Sequence, residues 1–574
     1  MKRYSAKVSQ HGESMPKHLM KVSQSCEKIK KYPAKMSQHG ESMPKDLGQV
    51  SQSCEKMKRY PAEVSQSRES MLKHLGKMSQ GREHIFHVPP HTLENFFRNL
   101  SRFCFKTSKK YILLREKSES KIHIRNMANV VKIKKGLNIN LKGKAPLEYV
   151  RAGAADSYAI VPDNYVGIVP KVLVRVGDKV KAGSPLMMDK VYPEIKFVSP
   201  VSGEVTAVNR GEKRKVLSII VRPDAQNEFE TFDIKDLTSY DVEGLKALLL
   251  ETGLWPCIKQ RPYDRVAIPS DTPRNIFITA YDTAPLAPDF DFIVQGEEDL
   301  LQTGLQALTK LTQGTVYLGV KPGSPLRSMK GVEVVELFGP HPAGNVGVMI
   351  NHLKPVNKGE TVWTLRAADV LTIGRLFKEK KTDFTRTIAL TGSEMNERGY
   401  TKVIAGCRIG SLTDGRIADG RVRVISGNVL TGTKVTTDGF LGAYDTQITA
   451  IPEGDDVNEF IGWAMPGFGK FSMSHSYFSW LLGNKKEYSL DARIKGGRRA
   501  MIMSNEYDKV FPMDIYPEYL LKAIIAYDID KMESLGIYEI APEDFALCEF
   551  VDTSKIEIQK IVRNGLDMLY KEMN

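Results

Sequence analysis

The chain has 574 residues, 41% of them hydrophobic and 26% charged, with a formal net charge of +14. Its length gives room for roughly three to five domains, each with a core of its own. The basic balance would point to a nucleic acid or an anionic surface, but residues 1–126 alone hold 26 Lys/Arg against 11 Asp/Glu and the remainder is near neutral at −1, with no basic patch interleaved with aromatics, which excludes a nucleic-acid partner for the folded part.

The first segment repeats itself. Ser-Gln recurs at positions 9, 23, 37, 51, 65 and 79, and Tyr4, Tyr32 and Tyr60 mark a longer period. Repeats of a folded array keep an apolar face and vary their surface, because stacking has to bury a continuous core. Here Ser, Gln, Lys, Glu and His recur as faithfully as the few apolar residues. Residues 1–126 are therefore expected to be a disordered basic extension, or tandem DNA read from a start codon placed too far upstream. A second Met opens Met127-Ala128-Asn129-Val130-Val131-Lys132-Ile133, which reads at once as a strand, and Met127 is the expected start. A cationic signal region is the rival, but no apolar h-region or small-residue cleavage site follows.

Residues 127–238 are expected to form a barrel-sandwich hybrid of the lipoyl or biotinyl type. Its two halves, Val176-Gly177-Asp178-Lys179-Val180-Lys181-Ala182-Gly183-Ser184-Pro185-Leu186 and Ser199-Pro200-Val201-Ser202-Gly203-Glu204-Val205, place Gly and Pro at turns between alternating Val/Leu positions. Carrier domains need a modifiable Lys at the hairpin tip. Lys190 lies nearer to Leu186 than a carrier lysine would, and Pro193 stiffens the return, so an unmodified docking or scaffold module is expected.

Residues 239–386 alternate helices and strands, which predicts a Rossmann-like α/β domain with a parallel sheet. A helix is expected over 242–252, with Leu245, Leu248 and Leu249 at helical spacing, then strands at 275–280, 314–320 and 332–337 around a helix at 296–311. The loop Phe338-Gly339-Pro340-His341-Pro342-Ala343-Gly344-Asn345-Val346-Gly347 brings backbone N–H groups together and could receive an anion or a planar ligand. It matches no phosphate fingerprint, and a rigid interdomain turn remains open. Residues 387–470 shorten to strands with Gly and Asp turns, a β-grasp (SLBB-like) module, and residues 471–574 are mainly helical. The fold class is thus α+β, mixed and multidomain. No apolar run is long enough for a transmembrane helix. Cys257, Cys407 and Cys548 are too scattered for a metal site, and free thiols suit a reducing cytosol.

These features, with Gly253-Leu254-Trp255-Pro256-Cys257-Ile258-Lys259-Gln260-Arg261-Pro262-Tyr263, Gly462-Trp463-Ala464-Met465-Pro466-Gly467, Phe511-Pro512-Met513-Asp514-Ile515-Tyr516-Pro517 and Ala546-Leu547-Cys548-Glu549, closely resemble the NqrA family, one of the subunits of the bacterial sodium-translocating NADH:quinone oxidoreductase. The resemblance starts at Met127 and covers roughly 448 of 574 residues. It implies a peripheral subunit on the cytoplasmic face of the bacterial inner membrane, in a complex that passes electrons from NADH to ubiquinone while exporting Na⁺. Five other subunits would be its partners, chiefly a membrane-embedded quinone/flavin subunit.

The family is related to the flavin-binding subunit of respiratory complex I and to the electron-input subunit of the Rnf complex. Those relatives use a Gly-rich loop for FMN and C-terminal Cys for an iron–sulfur cluster. Here Trp255, Pro256 and Ile258 replace glycines, and Cys548 stands alone. The resemblance therefore implies no cofactor or metal bound by this chain, no catalytic residue of its own, and NADH, flavins and Fe–S centres in the partners. It also implies a part in quinone reduction with ubiquinone as ligand. A quinone needs a flat apolar slot with donors at its carbonyl oxygens, and Tyr165, Arg261, Pro262, Tyr263 and His341 are the candidate contacts. Arg261 in a surface ion pair, Tyr165 in the sandwich core and His341 as a structural imidazole remain open. A lipoyl-type carrier and an Rnf-type electron-input subunit are the rival functions.

Overall fold

The structure, a computed structural model, describes residues 129–455, 464, 467–474, 476–483 and 486–573. The basic extension, the Met127 start and most of the Gly462–Gly467 motif lie outside the described residues.

Strand β1 (Asn129–Lys132) does not open the sandwich as its position in the chain suggests. It pairs in parallel with residues 333–338 at the edge of a different, seven-stranded sheet. Alternation announces a strand, since only Val131 of these four residues is buried, but its partner is a long-range choice that local pattern does not encode.

The sandwich begins near Tyr158. β2 (Tyr158–Ile160), β3 (Pro170–Val172), β4 (Lys179–Val180), β5 (Pro185–Asp189), β6 (Lys196–Val198), β7 (Gly203–Arg210) and β8 (Val216–Pro223) make two sheets, ordered β2-β8-β7-β4 and β3-β5-β6. Leu186, Val205, Ile219 and Val221 are fully buried in its core.

A helix at Val242–Glu251 follows, its N-cap Asp241 accepting from the Gly244 N–H at 2.8 Å. Next come β9 (Lys259–Arg261), β10 (Arg265–Val266), β11 (Ile276–Thr279), β12 (Val316–Val320), β13 (Glu333–Phe338) and β14 (Val362–Arg366). With β1 they form one sheet ordered β1-β13-β12-β11-β14-β9-β10, parallel from β1 to β14 and antiparallel at β9 and β10. Central strands buried on both faces need continuous apolar runs, as in Val316–Val320, where all five residues are buried. The sheet separates two cores. Ile276, Ile278, Leu318 and Trp363 face the sandwich side, while Phe277, Tyr317 and Val362 face the C-terminal helices.

On the sandwich side, the helices Glu298–Lys310 and Ala367–Glu379 touch backbone to backbone. A Cβ on Gly374 would stand 1.9 Å from the Leu300 carbonyl oxygen, and one on Gly304 would stand 2.2 Å from that of Val370. Only glycine permits this approach.

Beyond it, β15 (Thr385–Thr391), β16 (Gly399–Ile404), β17 (Val422–Ser426), β18 (Thr433–Val435) and β19 (Gln447–Pro452) form a mixed sheet ordered β16-β15-β19-β17-β18. The opposite face of the large sheet carries the helix Val346–Leu353 and the C-terminal helices Pro517–Ile525, Ile529–Ser534, Ala546–Val551 and Ile558–Met573. Leu520, Phe545, Val562 and Leu566 have no exposed surface.

Candidate functional site

Strand order in the large sheet runs β13-β12-β11-β14. The chain moves outward in one direction from β11 to β13 and then returns to the other side of β11 with β14. Loops leaving β11 and β14 must therefore diverge at their C-terminal ends and leave a crevice, the usual ligand position in open α/β sheets. An open cleft of about 1150 Å³, its solvent mouth included, lies there, lined by Thr279 at the end of β11 with Tyr281 beyond it and by Arg366 at the end of β14 with Ala367 beyond it.

Two helices of eight or more residues begin at this cleft, Val346–Leu353 and Ala367–Glu379, and their starts Val346 and Ala367 line it. Tyr281, Phe290, Leu365 and Tyr444 supply flat and apolar wall, and Lys259, Arg366, Asp264, Asp282, Asp369 and Glu543 supply charge. Tyr444 is held from both ends, since its hydroxyl donates to the Pro256 carbonyl at 2.6 Å and its own carbonyl accepts from Arg366 Nη1 at 2.5 Å. Burial would pull Arg366 down, but Glu543, Asp282, Asp445 and Asp369 outweigh it and keep the guanidinium charged. Burial likewise pushes Asp369 up in spite of Arg386, Arg366 and Lys259. Asp264 is buried too, yet Lys259, Arg261 and Arg563 together hold it below the ordinary carboxylate range.

Of the residues singled out in the sequence, His341 stands in this cleft. It is 4% exposed, with Nδ1 3.1 Å from Thr283 Oγ1. That hydroxyl also receives the Gly344 N–H at 3.0 Å. Burial outweighs the nearby Asp282 carboxylate and holds the imidazole down at about 4, so the ring is neutral at pH 7. Because the folded value lies below the ordinary one, the unfolded chain takes up its proton first as pH falls. The stability His341 contributes is full above about pH 6.5 and is lost toward pH 4, on the order of 3 kcal/mol in all, of which about 2 falls between pH 7 and 5. Urea denaturation at those two pH values is expected to show this loss, and His341→Gln to flatten it.

Tyr165 is not in the cleft but behind it. Its ring meets Phe197 at 4.6 Å and Tyr444 at 5.8 Å between centroids. It lines a second, solvent-open pocket with Phe197, Phe384 and Arg386. Tyr444 and Cys257 border both spaces, so Tyr165 belongs to the junction of three modules rather than to the sandwich core alone.

Arg261 departs most from expectation. It is fully buried, not in a surface ion pair, with Nη1 donating to Asp544 Oδ2 at 2.8 Å and to the Glu539 carbonyl at 2.6 Å. It reaches the cleft only through Glu543, whose Oε1 lies 3.3 Å from Nη2. The Arg261–Pro262 bond is cis, and Tyr263 and Asp264 follow with φ of 80° and 45°. Tyr263 turns away to meet the Tyr570 ring at 5.2 Å. The reason is local: β9 and β10 are joined by so short a turn that consecutive side chains point in different directions. Lys190 is exposed at the sandwich tip, while Asp189 is buried beneath it and accepts from the Val169 and Val191 N–H groups.

Of the Gly253–Ile258 segment, only Gly253, Pro256 and Cys257 line either space, and Trp255 and Ile258 go fully into the core. Burial pushes the Cys257 thiol far up, so it is no thiolate. Among the described residues no group of three or more His, Cys, Asp or Glu is placed to hold a metal ion, and no helix is long and apolar enough to cross a membrane. Sequence reasoning missed Arg366, Lys259, Tyr444 and Glu543. Arg366 had a signal, as the charged end of the apolar strand Val362–Arg366 directly before a helix. Glu543 and Tyr444 had none, because distant segments bring them in.

Three family models match the chain: the NqrA N-terminal barrel-sandwich hybrid domain over residues 131–224, the NqrA second alpha/beta domain over 240–382, and the NQRA C-terminal domain over 387–437. The chain is 36% identical over 449 residues to the NqrA subunit of the Na(+)-translocating NADH-quinone reductase of Yersinia pestis bv. Antiqua (strain Angola), with 77% of this chain and 100% of that protein covered. The same-named protein of Vibrio atlanticus (strain LGP32) is 38% identical over 450 residues, at the same coverage. A solved NAD⁺-reducing [NiFe]-hydrogenase in the H₂-reduced state aligns at a TM-score of 0.27 and 11% identity, over 38% of this chain and 50% of that one, too faint a likeness to carry an argument. With its relatives matched along their whole length, the chain belongs to the NqrA family of the Na⁺-translocating NADH-quinone reductase.

Proposed function

We propose that this chain serves the quinone-reduction step of the reductase, with the switch-point cleft receiving the ring of ubiquinone. The observation that carries this reading is the pairing, in one cleft, of aromatic and apolar wall with fixed donors. Tyr281, Phe290, Leu365 and Tyr444 offer surface for a flat ring, and Arg366, Lys259 and the neutral His341 offer N–H groups for its two carbonyl oxygens. The two helix starts add positive potential where negative charge grows on those oxygens during reduction. A Rossmann-like reading of the large sheet and a β-grasp reading of the five-stranded sheet fit this arrangement.

The chain acts as a peripheral subunit on the cytoplasmic face, alongside five partners of which one is a membrane-embedded quinone/flavin subunit. NADH, flavins and iron–sulfur centres belong to those partners, and the isolated chain does not oxidise NADH. Membership of the family disfavours the carrier and Rnf-type alternatives, and Lys190 is expected to remain unmodified.

Arg366→Ala in the assembled reductase tests the reading. A charged hydrogen bond contributes about 1.5–3 kcal/mol, so the KM for a short-chain ubiquinone is expected to rise about tenfold or more, with assembled complex quantified by its co-purifying subunits. An unchanged KM would remove the cleft from quinone binding.

A further inference from the structure

Two carboxylates and one guanidinium meet where the C-terminal module closes on the cleft. Arg261 and Asp544 each keep about 1% of their side-chain surface, whereas Glu543 keeps 35% and lines the cleft. Asp544 Oδ2 accepts from Arg261 Nη1 at 2.8 Å and from the Ala541 N–H at 2.9 Å, while its Oδ1 is buried without a hydrogen-bond partner among the described residues, and the side chain does not line the cleft. It sits so close to the start of the helix Val346–Leu353 that a Cβ on Gly347 would stand 2.4 Å from its Oδ1. Asp264 and Asp369 keep only 15% and 3% of their side-chain surface beside Lys259 and Arg386, each at 3.4 Å, and Asp282 accepts the Ala284 N–H at 2.8 Å. Glu543 makes one side-chain contact among the described residues, at 3.3 Å to a guanidinium that already neutralises Asp544.

We propose that Glu543 is the acid that delivers protons to the quinone, with Arg261 and Asp544 as its positioning residues. This rests on the quinone reading of the cleft. Reduction of a quinone to its quinol takes two electrons and two protons. The electrons come from NADH through the assembled reductase. The carboxyl O–H of Glu543 breaks and an O–H forms on a quinone oxygen, and the carboxylate left behind recovers a proton from water through the open mouth of the cleft before the second transfer. Proton delivery needs the carboxylic acid form, so any shift that favours that form serves the role. The groups facing Glu543 are Asp544 beside it, Arg261 on β9, Asp264 in the next turn and Arg366 at the end of β14. Burial first and Asp544 second push its carboxyl above the ordinary range, against the pull of Arg261 and Arg366.

The test uses Glu543→Gln and Glu543→Asp in the assembled reductase, beside Arg366→Ala. General-acid catalysis contributes on the order of a hundredfold or more. Glu543→Gln is therefore expected to lower kcat with ubiquinone roughly a hundredfold at a KM within about twofold of wild type, and to abolish the fall in kcat as pH rises through the Glu543 titration. Glu543→Asp is expected to restore about a tenth of the rate. If Glu543→Gln keeps wild-type kcat and pH profile while Arg366→Ala raises KM, the proton role is overturned and the quinone site stands. If neither variant changes any parameter, the quinone reading falls and the proton role with it.

Discussion

Arg261→Met is expected to weaken the chain by about 3–5 kcal/mol, because it removes one member of a buried ion pair and leaves the Asp544 carboxylate without its counter-charge. Arg261 ties the strand Lys259–Arg261 in the large sheet to Glu539, Glu543 and Asp544 in the C-terminal module. The loss should therefore appear as early release of that module rather than as uniform weakening. Several packed modules do not unfold as a single two-state unit, so the quantity to compare is the urea midpoint of the first transition, read by tyrosine and tryptophan fluorescence. Removing both partners costs less than removing one. Arg261→Met with Asp544→Leu is expected to recover most of the midpoint, and a double variant no better than the single one would show that packing rather than charge is at stake.

Trp255→Ala is expected to cost a similar 3–5 kcal/mol, for a different reason. Trp255 is fully buried, meets Trp363 edge-on at 5.3 Å between centroids, and donates its indole N–H to the Ala267 carbonyl at 2.7 Å. Truncation leaves a cavity the size of an indole against the sheet and a buried carbonyl without its donor. Thermal melting of the full chain measures this, and Trp255→Phe, which keeps most of the volume and loses the N–H, should fall between the two. A loss below about 1 kcal/mol for Trp255→Ala would mean that the segment relaxes into the space and that the wall behind the cleft is not rigid.

Much of the secondary structure was legible because each signal was local. Ile276–Thr279 and Val316–Val320 are apolar runs buried on both faces, and Gly177 and Gly183, at φ of 94° and 100°, turn where the sandwich pattern put them. Pairing was not legible. β1 joins β13 across some two hundred residues of chain, roughly the whole sandwich and half the α/β layer, and its alternation fits either sheet equally well.

The site divides in the same way. His341 and the Gly/Pro loop around it stood out because their composition is unusual, and they do line the cleft. Arg261 stood out beside Tyr263 as a charge next to an aromatic, but one residue of turn sends the two side chains to different neighbours. The cleft itself follows from strand order, and a switch point exists only once β14 has returned to the far side of β11. Glu543 reaches it from nearly the far end of the chain, so no spacing rule could have joined it to Arg366.

On the function proposed above, the crevice between β11 and β14 holds the quinone ring in the working enzyme. Photolabelling of the assembled reductase with an azido-ubiquinone, followed by peptide mapping of every subunit, tests it most directly. Adducts on peptides carrying Tyr281, His341, Arg366 or Tyr444, suppressed by excess unlabelled ubiquinone, are the expected result; competed labelling confined to partner subunits would contradict it.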